Sequence, residues 1–350
     1  MTTLRDLGER RIVREVLSRR YSRTEYFGND SAYITSNVVA DEIIVASTDP
    51  CPRPIAFELG FRDPYYFGWL LAAINFSDLA AAGARPIALL SSLILPAESL
   101  VSELERLLDG LDACATLVGA TVAGGNLKEG VVIEGTATAI GVCHRDRLVG
   151  RSGARPGDKV VFIGEVGDFW AGVLLRRADK PTSSRLLHNI LTPLPRTRVA
   201  ALLAERQVLS SCIDNSDGLW PSLQQLSEAS GMNLRVDLDG LQFGEEVKIA
   251  SRELGLDPRR FALGWGDWNL VGTCGEADIQ RFMDACSETE TPAQVVGEVS
   301  NGRGVDATYN GVLGVMTKFD SERFAADSWF SAGLTSYIDR LLNEPILSQL

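Results

Sequence analysis

Apolar residues recur at two periods along this chain, and the switches between them mark its elements. SAYITSNVVADEIIVASTD (31–49) reads as two strand-like runs closing on Asp49. DPYYFGWLLAAINFSDLAAAGARP follows with the 3–4 spacing of a helix over 64–82. Asp63 suits its N-cap, Pro64 its first position and Gly83 the position just past its end. PIALLSSLILP (86–96) returns to strand texture, AESLVSELERLLDGLDACATLVG (97–119) is a second long helix, and TVAGGN with VVIEGTATAIGV continues the alternation. Asn75, Ser77 and Asp78 are the anomaly, because they put polar groups in the middle of a helix apolar enough to be buried. Asn75 and Asp78 are three apart, so they share a face and can point into one cleft.

RSGARPGD (151–158) is rich in turn formers and divides the chain. Beyond it, KVVFIGEVGDFWAGVLL reads as a buried strand, a glycine turn and a helix. Residues 195–208 read as helical, and CIDNSDGLWPSLQQLSEASG as a strand, a polar turn and a helix capped by Ser216 or Asp217. LRVDLD, FALGWGDWNLVGTC, AQVVGEVS and GVLGVMTKF supply further strands, with ADIQRFMDACSE as a helix between them. The pattern predicts a two-domain α/β (α+β) chain, with domains over 1–150 and 151–320 and an amphipathic helical tail over 321–350. The start, MTTLRDLGERRIVREVLSRR, reads as a charged amphipathic helix without the apolar core of a signal peptide.

Composition narrows the function. With 45% hydrophobic and 23% charged residues in 350, the chain is of globular type. A net charge of -12 without a basic run argues against nucleic acid or an acidic membrane as partner. An anionic nucleotide would need metal ions to bind against that field. Six scattered cysteines without a CxxC pair suit a reducing, cytoplasmic setting. Two isolated histidines, His144 and His188, argue against a His-based zinc site or a Ser/His/Asp triad. No stretch approaches the eighteen or so uninterrupted apolar residues of a membrane span.

Five polar segments end apolar elements: GNDSA (28–32), STD (47–49), NFSD (75–78), GGNLKEG (124–130) and DNSDGL (214–219). Singly, each reads as a turn or a cap. Together, Asp30, Asp49, Asp78 and Asn126 form an oxygen-donor set for a hard divalent cation, provided the element ends converge. Gly124–Gly125 would let a phosphate approach the backbone, although neither a P-loop nor a complete GxGxxG motif is present.

GNDSA, STD, NFSDLAAAGARP, GGN, RSGARPGD, GEVGDFWAG, TPLPRTRVA, DNSDGL and GWGDWNL follow one another in an order and spacing that resembles the aminoimidazole ribonucleotide synthetase (PurM-like) superfamily. The nearest resemblance is to its thiamin-monophosphate kinase branch, and it covers residues 28 to 315. It implies a two-domain fold whose N-terminal domains pair into a dimeric β-barrel, a homodimer, with ATP and Mg2+ in a cleft beside a small-molecule acceptor. It implies Asp30, Asp49 and Asp78 as metal ligands; Gly124, Gly125, Asn126, Arg151 and Ser216 around the nucleotide; and Asp214 and Asp217 as catalytic acids facing the transferring phosphate.

The sequence departs from that branch within the site. GDDA is replaced by GNDS, GGDT by GGNL and GGEDYEL by GWGDWNL, so Asn29, Asn126 and Asn269 stand where acids are usual. PCPRPIAF (50–57) replaces a segment like VEGVHF that helps form the acceptor pocket. Trp265 and Trp268, flanking Asp267, read either as core packing or as a remodelled acceptor pocket against which a flat ring stacks. Three functions follow as expectations: an ATP-dependent kinase-like transferase with a divergent acceptor, an amide-activating ligase or dehydratase relative suggested by GGN, and a catalytically silent nucleotide-binding paralogue.

Overall fold

The computed structural model describes residues 32–35, 41–319, 323–324 and 328–348. The N-terminal helix expected over 1–20 and residues 28–31 of the GNDSA segment, Asp30 included, fall outside them. The first half holds β1 (Ala32–Thr35), β2 (Glu42–Pro50), α1 (Ile55–Glu58), α2 (Pro64–Ala81), β3 (Arg85–Leu95), α3 (Val101–Leu117), β4 (Thr121–Glu129) and β5 (Glu134–His144). Its strands form one sheet in the order β1-β2-β5-β3-β4, antiparallel except for the β3–β4 edge pair.

α2 begins and ends as the sequence dictates. The Asp63 carboxylate accepts the Tyr65 N–H at 3.0 Å, Pro64 opens the helix, and Gly83 adopts φ +69° past its end. Every residue from Phe67 to Ala81 is buried, so α2 has no solvent face. It crosses α3 closely, because a Cβ on Gly68 would lie 1.9 Å from the Leu107 carbonyl oxygen and one on Gly110 would lie 2.1 Å from that of Tyr65. Its other sides meet the second half. Leu70 and Ile74 join a core with Trp170 and Leu223, while Ala80 and Ala81 pack with Val199 and Leu203.

The second half runs β6 (Lys159–Ile163), α4 (Asp168–Arg177), α5 (Ser184–Leu191), α6 (Thr197–Glu205), β7 (Leu209–Asp214), α7 (Leu219–Ser230), β8 (Asn233–Asp237), α8 (Glu245–Leu254), β9 (Leu270–Cys274), α9 (Ile279–Glu288), β10 (Ala293–Ser300), β11 (Gly304–Tyr309), β12 (Val312–Val315), α10 (Trp329–Ala332) and α11 (Leu334–Asn343). Its strands form a second sheet, β12-β11-β8-β10-β6-β9-β7. Tyr337, Leu341 and Ile346 of the tail close over the core of this half.

Three elements differ from the sequence reading. Gly124 and Gly125 lie not in a turn but on the edge strand β4, opposite Leu90 and Ser91, after a one-residue slip that leaves Ala123 unpaired. The β3 edge recruits them, and Gly125 fits because a Cβ there would meet the Ser91 carbonyl oxygen at 2.0 Å. α7 is capped by neither Ser216 nor Asp217: it begins after Gly218 at φ +101° with no side-chain cap. The expected strand over 261–274 is confined to Leu270–Cys274, since Gly266 at φ +89° and Trp268 at φ +45° turn the preceding segment out of extended geometry.

Candidate active site

The anomalous polar residues of α2 resolve into three separate tasks. Asn75 faces the end of β2, where its Oδ1 accepts the Asp49 N–H at 2.9 Å and its Nδ2 donates to the Leu71 carbonyl oxygen at 2.9 Å. It therefore braces the strand that carries Asp49 and does not share the cleft, contrary to the expectation from its spacing. Ser77, fully buried, donates across the two halves to Asp214 Oδ2 at 3.0 Å. Asp78 accepts from the Ser47 hydroxyl of β2. Buried polar groups are tolerated when hydrogen-bonded, and here the bonds fix the orientation of two carboxylates.

Asp49, Asp78, Asp214, Ser216 and Asp217 line one cavity of about 90 Å³, together with Pro52, Ile74, Trp265, Trp268, Arg323 and Phe330. Two of the acids come from the first half, at the end of β2 and on α2, and two from the second, at the end of β7 and in the turn before α7. Ser216 donates to Asp214 Oδ1 at 3.2 Å, so serine hydroxyls reach both oxygens of this carboxylate. Among the described residues no three His, Cys, Asp or Glu side chains lie close enough to form a metal cluster unaided.

Trp265 and Trp268 form the second wall. The Trp265 backbone is pinned at both ends, its carbonyl accepting from Trp170 Nε1 at 2.7 Å and its N–H donating to the Tyr337 hydroxyl at 3.1 Å. Phe169 meets Trp268 edge-on at 6.4 Å between ring centroids. The two indoles, Phe169, Pro52, Pro54, Ile55, Tyr66, Leu70 and Ile190 also line a narrower apolar slot beside the acid cavity. Packing and pocket wall are thus both true of these tryptophans.

Other expected site residues lie elsewhere. Asp267 sits between the tryptophans in sequence but does not line the cavity. Its Oδ1 accepts from Asn215 Nδ2 and the Asn269 N–H, each at 3.0 Å, and burial pushes its carboxyl up to about 6. Arg151 Nη1 donates to Gln225 Oε1 of α7 at 2.7 Å. Gly124, Gly125 and Asn126 are exposed on β4 and do not border the acid cavity.

The sequence reading assigned Ser47, Ser77, Arg323 and Phe330 no role, although the STD and NFSD motifs contain the first two. It also missed a buried brace behind the tryptophan loop. Arg196 pairs with Glu165 and donates through Nε to Asn269 Oδ1 at 3.0 Å, while Asn269 Nδ2 donates to the Glu165 carbonyl oxygen at 2.9 Å.

This architecture has known counterparts. The N-terminal domain of AIR synthase related protein matches residues 28–143, and the C-terminal domain matches residues 155–310. The thiamine-monophosphate kinase of Synechococcus elongatus is 31% identical over 310 residues, spanning 85% of this chain and 90% of its own. That of Mycobacterium tuberculosis is 31% identical over 298 residues, spanning 81% and 87%. The solved structure of AaThiL complexed with AMPPCP and TMP superposes with a TM-score of 0.76 at 26% identity, covering 89% of this chain and 96% of that one. The HypE–HypF complex shares the fold, with a TM-score of 0.69 at 19% identity over 88% of this chain and 99% of that one. The chain belongs to the AIR synthase related family, a two-domain α/β class, and within that family it is close to the thiamine-monophosphate kinases.

Proposed function

We propose that this protein is a Mg2+- and ATP-dependent phosphotransferase acting on a small molecule, with an acceptor pocket of its own. The observation that carries this reading is the convergence of Asp49, Asp78, Asp214 and Asp217 from both halves on one cavity walled by two tryptophans. Phosphoryl transfer needs positioning and charge neutralisation more than a strong base. The donors are carboxylates and hydroxyls, the oxygen chemistry that Mg2+ prefers. Asp49 and Asp78 would hold it, with Asp30 added by the family resemblance. Bound there, Mg2+ supplies charge neutralisation between the carboxylates and the polyphosphate.

Asp214, held by Ser77 and Ser216, and its neighbour Asp217 orient the acceptor. The acceptor oxygen forms its bond to the terminal phosphorus of ATP as the bridging P–O bond breaks, and ADP leaves with the bridging oxygen. The indoles and the apolar slot exclude water from that line. The relatives' name and the bound TMP of the solved neighbour support thiamine monophosphate as the first acceptor to test. Ile87, Leu90 and Leu127, exposed on the first sheet, support pairing with a second copy.

The reading is tested by thermal unfolding with ATP, Mg2+ and both. Ligand at a hundred times its dissociation constant stabilises by about 2.7 kcal/mol. A shift that requires both ligands and disappears in Asp78→Ala supports the proposal; ADP release on adding thiamine monophosphate identifies the acceptor. No shift in the wild type moves the assignment to a silent paralogue.

A further inference from the structure

The acid cavity opens outward through residues of the C-terminal segment. A larger cavity of about 420 Å³ lies beyond it, lined by Pro50, Cys51, Pro52, Arg323, Phe324, Ser328, Phe330 and Ser331. The two cavities share Pro52, Arg323 and Phe330, which therefore form the wall between them. Phe330 is 52% exposed despite its size, and the Arg323 guanidinium carbon lies 5.9 Å from its ring centroid. A guanidinium over an aromatic face keeps its N–H edge available to an anion.

The charges lining the inner cavity are unequal. Among the described residues that line it, four are carboxylates and Arg323 is the one Lys or Arg. A polyphosphate in this cavity meets these four like charges, and metal ions and Arg323 are what can offset them. Arginine suits this task because its planar fork can bond two phosphate oxygens together and stays protonated at any working pH.

We infer that Arg323 is a phosphate-binding residue of the cleft, supplied by the C-terminal segment and seated by Phe330. Its ligand class is the polyphosphate of a nucleotide, and the assignment rests on the phosphotransferase reading above. It makes the C-terminal segment part of the site, where the domain pattern alone makes it a tail.

The test is calorimetric titration of the full chain with inorganic tripolyphosphate in Mg2+, then with AMPPCP in Mg2+. The proteins are wild type, Arg323→Gln, Arg323→Lys, Phe330→Leu and Asp78→Ala. Loss of a charge-assisted hydrogen bond predicts binding of both probes weaker by about tenfold to a hundredfold in Arg323→Gln. Arg323→Lys recovers part of it, because the charge remains without the fork, and Phe330→Leu weakens binding less than Arg323→Gln. A merely structural role predicts that Lys and Gln behave alike, and that result overturns the assignment. Wild-type affinity in Arg323→Gln, with binding lost in Asp78→Ala, overturns Arg323 but leaves the phosphotransferase reading standing. Absence of binding by the wild type overturns both.

Discussion

The hydrogen bond from Ser77 to Asp214 ties the first half to the second, and removing it has a calculable consequence. In Ser77→Ala the oxygen is lost from a fully buried position on α2, whose helix tolerates alanine well. Nothing larger than a hydroxyl disappears, so the cavity contribution is small and the hydrogen bond dominates. A bond to a charged acceptor contributes about 1.5–3 kcal/mol. Asp214 keeps the Ser216 hydroxyl on its other oxygen, which places the expected loss toward the lower end of that range.

At about 2–4 °C per kcal/mol for a protein of this scale, the melting temperature should fall by roughly 3–8 °C. The informative experiment is a double-mutant cycle with Asp214→Asn, followed by differential scanning calorimetry. If Ser77 acts through Asp214, the double variant loses less than the sum of the singles, with a coupling energy of about 1–2 kcal/mol. Because the bond spans the halves, Ser77→Ala should also broaden or split the unfolding transition. Additivity within about 0.5 kcal/mol, with an unchanged transition, would refute the claim that this bond orients the carboxylate.

Two further outcomes follow from the neighbourhood of the site. Burial raises the Asp267 carboxyl from 3.8 to about 6. Between those values the folded protein holds a proton that the unfolded chain releases, so this group's stabilisation is full below pH 4 or so and is lost as pH rises through about 6. Asp267→Asn removes that loss and should raise stability at pH 7 by up to about 2–3 kcal/mol, flattening the decline between pH 4 and 6 in denaturant titrations; a variant no more stable at pH 7 sinks the argument. Gly125→Ala drives a Cβ to 2.0 Å from the Ser91 carbonyl oxygen. It should destabilise by about 1–3 kcal/mol and speed amide exchange along β3 and β4, whereas wild-type exchange would show that the edge pair is not closely packed.

What the sequence made legible is what short-range chemistry determines. The ends of α2 could be read from Asp63, Pro64 and Gly83 because caps act within one turn. The acids could be read because they end apolar runs, where an element leaves the core. Gly124–Gly125 was misread as a turn because a strand at a sheet edge owes its state to its partner's register, here β3, which lies some thirty residues away. Ser77 and Asn75 look alike in NFSD, yet one reaches the second half while the other holds the backbone of β2. Only the packing around α2 separates them. Arg323 had no local signal, since a lone arginine in a polar segment reads as solvated surface.

Of the three asparagines that stand where acids are usual, Asn126 and Asn269 lie off the acid cavity. Asn269 has both ends of its amide engaged, with the Arg196 guanidinium on its oxygen and the Glu165 carbonyl on its nitrogen, so it braces the tryptophan loop. Asn126 stands on exposed β4, away from the acid cavity, and Asn29 lies outside the described residues. The carboxylates that line the cavity, Asp49, Asp78, Asp214 and Asp217, are all present, and Asp78 and Asp214 are each held by serine hydroxyls. A silent paralogue would have no need to keep such bonds inside a helix with no solvent face, where each polar group must be satisfied or cost stability. The buried polarity of α2 therefore weighs toward a working charged cleft, as the proposed phosphotransferase requires.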